Sequence, residues 1–190
     1  MSLQFIIVYL SILFWIFPAI RQYKTEMFWY FLVLALSDPI GLILIAFRTN
    51  NPHTILIISF ILLFVVIWSL LKKSSTKAVL FVVSTLFIVS FFVPRIFSTY
   101  LALLFHIIII FYFIQRSLSF ITRTNKVNIF HLFLLLEEIS IVLKVLAVLN
   151  GAKMGIAFFL VTNLFEILIA IFFSIFKEDN SKLFIDLRKI

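Results

Sequence analysis

The chain has 190 residues, 64% of them hydrophobic and only 13% charged, and its mean hydropathy is +1.25. Soluble domains run closer to half apolar and a quarter charged, so the expected class is an all-α, polytopic integral membrane protein. The net charge of +8, from 16 basic and 8 acidic residues, would point to nucleic acid in a soluble protein; in so apolar a chain it reads as topology signals at a membrane surface, with no nucleic-acid partner.

A hydrocarbon core about 30 Å thick needs roughly 20 apolar residues of helix. Apolar runs between charged or turn-rich breaks predict seven transmembrane helices, at about 3–20, 27–47, 55–71, 78–93, 100–121, 129–149 and 154–176. The first is not expected to be a cleaved signal peptide, because no basic residue precedes it and Arg21 directly follows its Pro18–Ala19 end. The second carries Ala35, Asp38 and Gly41 along one side, and Pro39 removes a backbone donor next to the acid, which kinks or opens a helix. The third and fourth are short and need little tilt. The fifth contains His106.

The sixth segment is the costly one, with Glu137, Glu138 and Lys144. Three charges near a helix centre cost about 8–10 kcal/mol against about 7 kcal/mol returned by the apolar residues, so it is expected to insert only where neighbouring helices supply partners. Glu137 and Lys144 share a line but lie about 10 Å apart along the axis, too far for a direct pair, while Glu138 lies about 100° round, on the line of His131. Two faces therefore carry acid, and both need cover from helices or a partner, or one acid must be protonated. In the seventh segment Asn163, Glu166, Ala170 and Ser174 follow one stripe, with Thr162 at its margin. Gly151 and Gly155, before that segment, read as a turn rather than a dimer face.

Basic residues support the partition. The first, third and fifth loops and the tail carry Arg21, Lys24, Lys72, Lys73, Lys77, Arg116, Arg123, Lys126, Lys177, Lys182, Arg188 and Lys189, against Arg48, Arg95 and Lys153 on the other side. That asymmetry arises only with an odd number of spans, and it predicts an external N-terminus and a cytoplasmic C-terminus, in an inner or plasma membrane.

Intramembrane ionisable residues are the candidate functional cluster: Asp38, Glu137, Glu138, Lys144, Glu166, Asn163 and His106. The alternative for each is a plain interhelical hydrogen bond worth roughly 0.6–2 kcal/mol. The imbalance of four acids against one lysine favours function for the group. No catalytic residue, cofactor or metal is expected. The chain has no cysteine, so thiolate metal sites, disulfides and lipidated cysteines are out. His106 and His131 would lie roughly 16 Å apart across the bilayer, too far to share a metal. Nucleophile-elbow and phosphate-loop motifs are missing, and the seventh segment offers no lysine for a retinal Schiff base.

The 177–190 tail is expected to form a short amphipathic cytoplasmic helix capped by Asn180 or Ser181, offering Leu183, Phe184, Leu187 and Ile190 to lipid or to a partner protein. With so little mass outside the membrane, the sequence reads as a non-catalytic subunit or receptor-like sensory module of a larger membrane assembly. The alternatives are a small intramembrane lipid-modifying enzyme that uses the same carboxylates, and a proton- or ion-coupled pathway.

Overall fold

The structure is a computed structural model that describes residues 3–46, 52–71, 95–150 and 156–189, with single positions at 81, 84, 85, 88 and 92. Among these residues there are six α-helices: α1 (Leu3–Arg21), α2 (Phe28–Ala46), α3 (Pro52–Leu71), α4 (Arg95–Thr124), α5 (Ile129–Leu149) and α6 (Ile156–Ile175). Two three-residue strands, β1 (Lys126–Asn128) and β2 (Phe184–Asp186), accompany them. The protein is therefore all-α, as its composition leads one to expect.

Five of the predicted segments coincide with α1, α2, α3, α5 and α6 to within a few residues. The fifth predicted segment is too short: α4 runs for 30 residues, from Arg95 directly after Pro94 to Thr124. The added residues lie at its two ends, 95–99 and 122–124, and Arg116, which the segment already spans, finds acid partners described below. Within the fourth predicted segment five residues are described: Phe81, Ser84, Thr85 and Ile88 are helical, and Phe92 lies in a turn. Gly151, Gly155 and Ile190 lie outside the described residues. His53 falls in the first turn of α3, where Pro52 suits a helix start.

One stretch among the described residues, Thr99–Thr124 of α4, is long and apolar enough to cross a membrane. The described apolar stretches of α1, α2, α3 and α6 are shorter, at Tyr9–Arg21, Phe28–Ile43, Ile58–Leu71 and Leu160–Ile175. α5 has 21 residues but carries Glu137, Glu138 and Lys144.

Each helix packs on the next, and α1 closes the ring by an extensive contact with α6. Of these neighbour pairs, α5 and α6 touch least. One end of the ring is filled by aromatic rings: Phe31, Phe130 and Phe173 meet with centroids 4.8–6.3 Å apart, and Phe133 stacks on Phe172 at 4.0 Å. Edge and offset contacts of this kind let large rings fill a core that has few small residues. The exterior inverts the soluble pattern. Ile20, Phe111, Val161 and Leu168 are each about two-thirds exposed, while Glu137 and Glu138 are 1% exposed.

The tail departs from expectation. Asn180 does cap a turn, accepting from the Lys182 backbone N–H, but the turn is a single 3-10 turn, Ser181–Leu183. The chain then extends as β2 and pairs antiparallel with β1, Asn128 opposite Phe184 and Lys126 opposite Asp186. A helix would have left the β1 edge unpaired; the strand satisfies it, and Leu187 N–H adds a bond to Asn125 O. Leu183 is consequently buried and Phe184 rests half-buried on Phe120, whereas Leu187 stays exposed. Asn125, with φ of 54°, ends α4 in the left-handed conformation that asparagine tolerates, and so turns the chain into β1.

Candidate functional site

A cavity of about 400 Å³ lies inside the helix ring, and every one of the six helices contributes to its wall. All seven residues of the sequence-derived cluster line it: Asp38 from α2, His106 from α4, Glu137, Glu138 and Lys144 from α5, and Asn163 and Glu166 from α6. The heptad and stripe geometry explains the convergence. Glu137, Ile141 and Lys144 climb one face of α5, and Thr162, Asn163 and Glu166 share one face of α6. The rest of the wall is mainly apolar, from Trp15, Leu63, Val66 and Ile109 among others.

Within the cavity the charges are unevenly partnered. Glu138 Oε2 lies 2.9 Å from His106 Nδ1, joining α5 to α4. Lys144 donates to Glu166 and forms an ion pair across the thin α5–α6 seam, so Lys144 pairs between helices rather than along its own. Glu137 is the exception. It is 1% exposed, its charged neighbours are Glu166, Lys144, Glu138 and Asp38, and its Oε2 has no hydrogen-bond partner among the described residues. Asp38, by contrast, is exposed, as is Ser37 beside it, so the cavity opens past this part of α2.

The two acid-bearing faces of α5 are both covered by helices. If all four acids are ionised and His106 is neutral, the cavity holds three negative charges in excess of Lys144. In a low-dielectric interior such an excess is costly and calls for protons or a cation. The hydroxyls add acceptors rather than donors. Ser37 Oγ and Thr162 Oγ1 each donate their proton back to a carbonyl one turn earlier, at Val33 and Phe158. Among the described residues no group of three or more His, Asp or Glu side chains stands ready to hold a metal ion.

Two wall residues escaped the sequence reading. Tyr30 is fully buried, with its hydroxyl beside Glu138 but not in a well-aligned hydrogen bond, and Trp15 closes the α1 side. Nothing local in the sequence marks either, since each is one aromatic in an aromatic-rich helix.

A second polar cluster went unrecognised at the opposite end of α4. Arg116 donates to Glu178 through Nε at 2.5 Å and Nη2 at 2.8 Å, and to Glu26 through Nη1 at 2.9 Å. The Tyr112 hydroxyl lies 3.1 Å from Nη1. His131 Nε2 reaches the same Glu178 carboxylate at 2.7 Å. Asn128 caps α5 by accepting from Phe130 N–H, and its amide donates to Glu178 O at 2.9 Å. Burial opposes the ionised form of Glu178, but the hydrogen bonds from His131 and Arg116 and the Arg116 charge outweigh it and hold the carboxyl below its ordinary value. One signal was present: Arg116 lies inside an apolar segment, where a guanidinium needs a partner. That the partner is in the tail, 62 residues on, no local pattern reveals.

No protein-family model matches the chain, and no curated protein or solved structure matches it.

Proposed function

We propose that the chain is a seven-span membrane protein, with its N-terminus outside and its C-terminus in the cytoplasm, that acts without catalysis as the receptor-like subunit of a larger membrane assembly. The observation that carries this reading is a cavity that gathers side chains from all six described helices, with one buried acid oxygen left without a partner among the described residues, inside a bundle whose described exterior is apolar. A ring of helices with a central polar cavity is a common form of ligand site in bundles. The tail is tied back onto the α4–α5 connection, so a change in helix packing at the cavity has a route to the cytoplasmic surface through α4 and α5, which carry both clusters.

The test is affinity purification of the tagged chain from native membranes, with mass spectrometry of what elutes. A stoichiometric partner supports the subunit reading, and a solitary protein overturns it. The native chain has no cysteine, so single-cysteine labelling from each side of the membrane checks the seven-span topology. A cytoplasmic label at residue 189 and an external label at residue 2 are expected.

One observation favours a second reading, an intramembrane acid–base enzyme acting on lipids. The Glu138–His106 pair is a hydrogen-bonded carboxylate–imidazole couple facing a cavity that opens past α2. Turnover of a lipid substrate that is lost in Glu138→Gln while the complex persists would establish it.

A further inference from the structure

We propose that the cavity binds a small organic amine in its ammonium form, with Glu137 as the counter-ion and the apolar wall around Trp15 holding the carbon skeleton. The inference deepens the receptor-like reading above by naming the ligand class.

Four observations converge on it. First, the other buried acids already have partners among the described residues, Glu138 beside His106 and Glu166 with Lys144, which leaves one buried carboxyl on the cavity wall, Glu137, with an oxygen that has no hydrogen-bond partner among them. One uncompensated carboxylate calls for one positive charge. Second, the polar wall near Glu137 carries more acceptors than donors: the carboxylates and the Ser37 hydroxyl, whose proton is committed to Val33 O, stand against Asn163, His106 and Lys144, of which His106 is engaged by Glu138 and Lys144 by Glu166. A ligand that donates N–H bonds fits such a wall, and an anion or a pure acceptor does not. Third, a bare metal ion lacks its ligand set, because no three suitable side chains converge among the described residues. Fourth, about 400 Å³ of space corresponds to about a dozen waters. That is far more than a proton or a sodium ion occupies, and within the range of small-molecule pockets. Leu63, Val66 and Ile109 with Trp15 supply the apolar side that a hydrated inorganic ion would not use.

The entry route is consistent with charge. Asp38 stands exposed at the opening, where a carboxylate attracts a cation before it reaches the buried site.

The experiment uses the full chain, purified in detergent, with thermal unfolding as readout. The probes are 2-phenylethylamine, its neutral isostere 2-phenylethanol, and sodium chloride at matched ionic strength. The amine should raise the midpoint in a saturable, concentration-dependent way, and the alcohol and the salt should not. Glu137→Gln, which keeps shape and removes charge, should weaken the amine effect by about tenfold or more. Asp38→Asn, at the opening, should weaken it by only about two- to threefold. Equal protection by alcohol and amine overturns the proposal, as does full protection by sodium alone, absence of any amine effect, or an amine effect unchanged in Glu137→Gln. The subunit reading fails separately. A protein that responds to the amine yet elutes alone from native membranes overturns the assembly and leaves the ligand class standing. A protein that keeps its partner but ignores the amine does the reverse.

Discussion

The two polar clusters differ in one respect that decides what each can do. Around Arg116, every carboxylate oxygen of Glu178 has a donor, from Arg116 or His131, and Glu26 takes a third guanidinium bond. Around Glu137, acids outnumber bases and one buried oxygen has nothing to accept from among the described residues. A network whose carboxylates are all matched, even with His131 Nδ1 left buried and without a partner among the described residues, holds elements together. An open one keeps an unmet demand that a ligand can satisfy. The clamp ties the tail to α4 and α5, and the cavity is where we propose that a ligand binds.

The contrast can be broken from the clamp side with the largest effect. Arg116→Ala should leave Glu178 and Glu26 without their guanidinium and lower stability by about 3 kcal/mol, read as a fall in the unfolding midpoint in detergent. It should also raise proteolysis within the tail. In the cavity, Glu166→Gln should cost about 2 kcal/mol, because it strips Lys144 of its ion pair in a partly buried seam. A smaller loss, about 1 kcal/mol, is expected for Asn128→Ala, which removes the α5 cap and the bond to Glu178 O together.

The pH dependence sharpens the same point. Glu178 is held below its ordinary value of 4.5, so its contribution is fully present above about pH 4.5 and is lost as pH falls through the lower folded-state value. The measurement is the difference in midpoint between the native chain and Glu178→Gln. It should be constant at neutral pH and shrink on acidification below 4.5; a difference that grows in acid would show the carboxyl to be unpaired. The smallest effect is the most telling. Glu137→Gln should leave the ligand-free protein at least as stable as the native chain, because it removes an unmatched carboxyl whose Oε2 has no hydrogen-bond partner among the described residues. A loss as large as that of Glu166→Gln would mean that Glu137 is structural and would erase the distinction between the clusters.

Much of the architecture was legible in the chain, for local reasons. Apolar runs of helical length announce α1, α2, α3, α5 and α6, since hydropathy sums over neighbours in sequence. The members of the cavity were legible too, because acids such as Glu137 and Glu166 are rare in apolar helices and the stripe of Asn163, Glu166 and Ala170 shares a face by periodicity alone. What stayed hidden were the partners. Which acid pairs with His106, which with Lys144, and which is left over depends on how six helices are rotated against one another, and that arises from packing across the ring. The tail shows the same limit. Leu183, Leu187 and Ile190 have helical spacing, and an amphipathic helix is the local answer. The tertiary answer is a strand, because β1 offers it a hydrogen-bonding edge and Arg116, His131 and Asn128 hold Glu178 where that edge begins. Sequence alone determined which residues are apolar, helical and charged. Only the closed ring decided which charges would meet and which one would be left waiting, because pairing energies belong to contacts made between residues far apart in the chain.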